Sequence, residues 1–147
     1  MMLATARRRA TRRAAFTLLE ILVVVAIVVI LAGVGVVATT TYLENAKKSK
    51  AQLGCKGLAT AVETYYTNPS SSNTYPQSLQ ELLTPPWGGG SLLKNGQQDL
   101  MDPWGKPYTY ELRSQNDGTQ VPFVYTKSND GIDISQYGVG PQAQPPQ

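Results

Sequence analysis

One acid, Glu20, stands inside an otherwise apolar stretch, and its type and position demand a chemical reason. An ionisable side chain within a membrane helix costs ~2.5–3.5 kcal/mol on insertion scales, so it is kept for a partner or a task. Five arginines precede it, Arg7, Arg8, Arg9, Arg12 and Arg13, and they read as a topology signal that holds this end of the chain inside. Elsewhere the reactive inventory is thin. There is no histidine, which removes the commonest general base and the commonest metal ligand, and with them most hydrolase and zinc-site readings. A single cysteine, Cys55, cannot form an internal disulfide, so an exported domain must be held by its core. With no nucleophile motif and no phosphate loop, a structural protein is expected rather than an enzyme.

The elements that must position Glu20 follow from length and patterning. A chain of 147 residues has room for one small domain beside a membrane segment. Its net charge of +3 misleads, because five of the 13 basic residues lie in the first 15 positions; the rest of the chain carries eight basic against ten acidic side chains. No sustained basic face remains, which argues against nucleic acid as a partner. From Ile21 to Ala38 there are 18 residues without a charge, and from Phe16 the stretch is 23 residues. At ~1.5 Å per residue a helix of that length crosses a ~30 Å hydrocarbon layer. The run is longer than the ~7–15 apolar residues of a secretory signal peptide and lacks a clean Ala-x-Ala site. A twin-arginine signal should have a neutral core, which Glu20 interrupts. A plain signal anchor fits everything except Glu20.

Beyond Thr41 no proline or loop signal appears until Asn68-Pro69, so the helix is expected to continue. Ala51, Gly54, Cys55, Leu58, Ala61, Val62 and Tyr65 fall on one helical face, which would pack against a small sheet and carry Cys55 into the core as a small apolar residue. Lys47, Lys48, Lys50 and Lys56 read as a solvated or headgroup-facing side. Asn68 to Thr74 is a polar loop, and Ser78-Leu79-Gln80-Glu81 has capping-box spacing for a short helix carrying Leu79, Leu82 and Leu83. Asp102-Pro103-Trp104-Gly105 reads as a tight turn whose tryptophan covers the core, leading to a strand alternating Tyr108, Tyr110 and Leu112. Asn116-Asp117-Gly118 is a hairpin turn before a strand through Val121, Phe123 and Tyr125. The Pro/Gln-rich tail, 141–147, is expected to be disordered. The expected organisation is thus a leader (1–15), a transmembrane and assembly helix (16–38), the outer half of that helix (39–67), a small α+β head (68–140) and the tail.

The run Ala15-Phe16-Thr17-Leu18-Leu19-Glu20-Ile21-Leu22-Val23-Val24 resembles the signature of type IV pilins and pseudopilins, with Ala15 where glycine is usual. Together with Tyr75-Pro76 and Asp102-Pro-Trp-Gly-Lys-Pro-Tyr108, it resembles the major pseudopilins of type II secretion across most of residues 15–138. The resemblance implies a pilin-like α+β fold, a long N-terminal helix packed on a small antiparallel sheet. It implies that a prepilin peptidase cuts between Ala15 and Phe16, that Phe16 is N-methylated, and that the new amine pairs with a neighbour's Glu20. Such a pair offsets two desolvation costs and fixes subunit register. It further implies a calcium loop at Ser128 to Asp133, with Asp130 and Asp133 as side-chain ligands. The same residues also fit an Asx turn at Asn129-Asp130-Gly131 with no metal.

The function this implies is self-association into a helical periplasmic filament that drives protein export. Its subunit would be anchored by one pass in the inner membrane with the head in the periplasm, and would work with minor pseudopilins and an inner-membrane secretion platform. Two other readings stay open on the residues: a type IV pilin, whose head usually ends in a disulfide loop that one cysteine cannot make, and a monomeric membrane-tethered binding domain.

Overall fold

The computed structural model describes residues 16–116 and 118–145, with the side chains of 34–38 left out. The leader, Ala15 and Asp117 lie outside the described residues. The chain divides into two compact units, Met1–Thr40 and Thr41–Gln147.

Helix α1 runs Leu18–Thr67, 50 residues without a proline, and ends where Asn68 accepts the amide of Ser70 and Pro69 removes a donor. In the first unit its side chains from Leu18 to Leu31 are exposed. Among the described residues no helix is long and apolar enough to cross a membrane. The described apolar stretch from Leu18 to Gly33 covers roughly 24 Å at ~1.5 Å per residue. The expected span also drew on residues 34–38.

The second unit has the α+β architecture of a pilin-like head. Three antiparallel strands, β1 (Thr109–Ser114), β2 (Gln120–Lys127) and β3 (Asp133–Ser135), lie in the order β1-β2-β3. The face read from the sequence is the buried one: Cys55, Leu58, Ala61, Val62 and Tyr65 form the core with Leu79, Leu82, Leu93, Leu100, Tyr108 and Val124. Gly54 is needed because Tyr108 lies against the helix there: a Cβ would collide with its phenolic oxygen, which reaches the Ala51 carbonyl at 3.4 Å. Burial pushes the Cys55 thiol up to about 12, so it is packing material and not a nucleophile.

Several local expectations change. The short helix is a 3-10 turn, Leu79–Leu82, and Ser78 does not cap it; Glu81 instead accepts from the Gln77 amide and the Tyr65 hydroxyl. On β2, Val124 joins the core, while Phe123 lies on the opposite face under the Arg113 guanidinium, 4.0 Å from the ring centroid, and stacks with Tyr125 and Tyr137. The strand alternation was legible, but which parity meets the helix is set by register: Tyr110 pairs with Val124. The tail is ordered at its start. Gly140–Ala143 makes a 3-10 turn, Ala143 is buried, and its carbonyl accepts the buried Ser135 hydroxyl at 2.7 Å.

Candidate functional site

Two places carry the chemistry expected from the sequence. At the start of α1, Thr17 is the N-cap: its hydroxyl accepts the Glu20 amide at 3.2 Å and its carbonyl accepts from the Glu20 and Ile21 amides. Glu20 thereby holds the third helical position, where a carboxylate is favoured by the free amides and the helix dipole. Its side chain is exposed and, among the described residues, makes no ion pair. Phe16 precedes it, three-quarters exposed. The sequence reading singled out Phe16 and Glu20 but not Thr17, although Thr-x-x-Glu spacing was its signal.

The second place is the turn after β2. Ser128 is buried; its amide donates to the Ile132 carbonyl at 3.0 Å and its hydroxyl accepts the Ile132 amide at 3.1 Å. That hydroxyl also donates to Asp130 Oδ1 at 2.5 Å. The other oxygen, Oδ2, takes Lys48 Nζ at 2.5 Å from α1. Lys48 first and Ser128 second hold the Asp130 carboxyl below the usual aspartate range. Asp133 turns to a different cation, Lys127 at 3.3 Å, its direct partner across β2 and β3. Lys48 is therefore no solvated lysine, a contact that no local pattern could reveal.

The neighbouring Asp102 turn is built by a buried carboxylate. Oδ1 accepts the amides of Trp104 and Lys106 at 2.9 and 2.8 Å, Oδ2 accepts the Thr126 hydroxyl at 2.7 Å, and Gly105 takes φ +80°. Trp104 does not cover the core as expected. Its indole N–H donates to Glu44 Oε2 at 3.1 Å, and Glu44 also binds Lys47 at 3.0 Å. These bonds hold the Glu44 carboxyl below its ordinary range, with Lys47 the larger cause.

Calcium takes six to eight oxygen ligands, usually several of them carboxylate. Among the described residues no group of three acidic, histidine or cysteine side chains converges. The two expected ligands, Asp130 and Asp133, are each already neutralised by a lysine. Two lysine-paired carboxylates, with no third acidic side chain gathered beside them among the described residues, are a sparse donor set for calcium.

Residues 10–36 match the family model of the prokaryotic N-terminal methylation motif. Residues 38–142, well over half of the chain, match the model of type II secretion system protein G. The chain belongs to the protein G family of the type II secretion system. The type II secretion system core protein G of Pseudomonas aeruginosa is 33% identical over 125 residues, an alignment that covers 80% of this chain and 84% of that protein. No solved structure matches. As a protein G family member the chain is a major pseudopilin, a structural subunit of the type II secretion pseudopilus. Membership also explains the order of the motifs. The methylation motif ends within α1, and the protein G match takes in the outer half of that helix, all three strands and most of the last turn, stopping at residue 142.

Proposed function

We propose that this pseudopilin polymerises through its first unit, with cleavage after Ala15 releasing the Phe16 amine, N-methylation of that amine, and pairing with Glu20 of an adjoining copy. The observation that carries the reading is the contrast around Glu20. Every described side chain from Phe16 to Leu31 is exposed, and the carboxylate has no ion-pair partner among the described residues. A run of Leu, Val and Ile that the described residues leave uncovered is stable in lipid or against copies of itself. Lipid holds the subunit before assembly, as a single-pass anchor of the inner membrane with the head in the periplasm. Neighbouring helices hold it afterwards.

Within that packed environment a lone carboxylate is costly and a paired one is tolerated, so Glu20 selects the axial stagger at which an amine lies opposite it. Prepilin peptidase, minor pseudopilins and an inner-membrane secretion platform are the partners this assembly requires. The test is Glu20→Ala in cells. Membrane insertion and head folding should persist while filaments and export of secreted proteins are lost. Normal filaments from that variant would falsify the pairing role. Intact mass and N-terminal sequencing of the membrane protein check the cut: a chain beginning at methylated Phe16 is expected, and one retaining Arg12 and Arg13 would defeat it.

A further inference from the structure

We infer that Lys48 is the built-in cation of the Ser128 to Asp133 loop, a tethered ammonium that orders the loop against α1 and makes this head independent of calcium. The loop needs one positive charge at one place. Ser128 and Ile132 close it through two backbone-directed bonds, and the Gly131 amide returns to the Ser128 carbonyl at 3.1 Å with Gly131 at φ +81°. This geometry aims the Asp130 carboxylate out of the turn with one oxygen fixed by the Ser128 hydroxyl. The remaining oxygen meets Lys48, which comes from 82 residues earlier in the chain.

The lysine is arranged for this contact. Its side chain is 15% exposed against 51% for Asp130, so the stem is laid along the protein and the ammonium is delivered to the carboxylate. Four residues earlier on the same face of α1, Glu44 receives the Trp104 indole. One helical turn thus supplies two cross-links, an anion for the Asp102 turn and a cation for the Ser128 turn. A dication entering the loop would have to displace Lys48 from Asp130 and Lys127 from Asp133. It would then sit among ammonium groups with two carboxylates to hold it. Exposed ion pairs are individually weak. The consequence here lies in order and not in bulk stability: a loop fixed at its own base by Ser128 needs one further point to have a single position.

The experiment measures amide hydrogen exchange from Ser128 to Asp133 in the full chain in detergent, with chelator or with millimolar calcium chloride. Wild-type exchange should agree within about twofold between the two conditions, because no opening free energy is linked to the metal. Lys48→Met, which keeps the stem, should speed exchange about three- to fivefold, and Lys48→Arg should recover most of that protection. Asp130→Asn should match Lys48→Met, and the double variant should be no looser than either single one, as for groups that share one contact. Calcium slowing wild-type exchange, or chelator speeding it, overturns the inference without recourse to any variant. So does a Lys48→Met protein whose loop exchanges as the wild type does. These readouts leave the filament reading untouched, since none depends on Glu20.

Discussion

Leu22 and Ile27 lie on the same helix as Leu58 and Val62, yet the first two keep 59% and 51% of their surface exposed while the second two keep 2% and 0%. Residue type does not separate them. The second unit has brought Leu79, Leu82, Tyr108 and Val124 to its part of the helix, whereas in the first unit the described side chains from Phe16 to Leu31 are all exposed. The polar groups differ in the same sense. Asp102, Glu81, Glu44 and Asp130 in the head each bind side-chain partners of their own chain, whereas Glu20 makes no ion pair among the described residues. On the proposed assembly, in which the subunit passes from lipid to filament, the first unit is the surface whose partner can be exchanged and the head is the one whose partners cannot.

The comparison breaks most readily in the core. Leu58→Ala should cost the head about 2–5 kcal/mol, the range for deleting a buried leucine side chain and leaving a cavity. Ile27→Ala should leave head stability within about 0.5 kcal/mol while weakening assembly. Denaturant midpoints for the full chain in detergent, beside filament yield in cells, separate the two effects. Equal losses of head stability from both substitutions would show that the units do not differ as described.

How much of this was legible in the sequence follows the distance between partners. The buried face of α1 could be read because helical period places Cys55, Leu58, Val62 and Tyr65 together whatever they meet. The Asp102 turn could be read because Asp, Pro and Gly act over four residues. Long-range polar contacts had no such signal. Glu44 and Trp104 are 60 residues apart, Lys48 and Asp130 are 82 apart, and nothing in the local pattern around either member of a pair names the other. The same blindness gave Trp104 to the core. Parity on β2 was hidden for a related reason: Phe123 and Tyr125 are the larger apolar side chains, but cross-strand register puts Val124 with Tyr110 toward the helix.

A smaller effect tests whether the head's polar groups are as self-contained as its apolar ones. Asp102→Ala strands two backbone amides and the Thr126 hydroxyl around a buried site, at about 2–3 kcal/mol allowing for water reaching the turn. Asp102→Asn keeps an acceptor for the amides and should lose about 1 kcal/mol. Urea unfolding read by tryptophan fluorescence distinguishes them. Alanine and asparagine variants of equal stability would mean that the turn, not the carboxylate, does the holding.

The smallest effect concerns the edge of the sheet. Strand β3 is three residues long, and beyond it β2 would present bare groups at Pro122 and Val124. Gln136 covers both: its Oε1 accepts the Val124 amide at 2.7 Å and its Nε2 donates to the Pro122 carbonyl at 2.5 Å. A primary amide carries a donor and an acceptor at nearly the spacing of a peptide unit, so one side chain extends the ladder where the backbone has turned away. An open edge in a protein that crowds against its own copies invites strand pairing between heads. Gln136→Ala should cost about 1 kcal/mol, the net worth of ordinary hydrogen bonds partly replaced by water, and should speed Val124 amide exchange. Gln136→Glu keeps the acceptor for Val124 but sets a second acceptor against the Pro122 carbonyl, so at neutral pH it should be no better than alanine. If glutamate served as well as glutamine, only the Val124 bond would matter and the side chain would not be standing in for a strand.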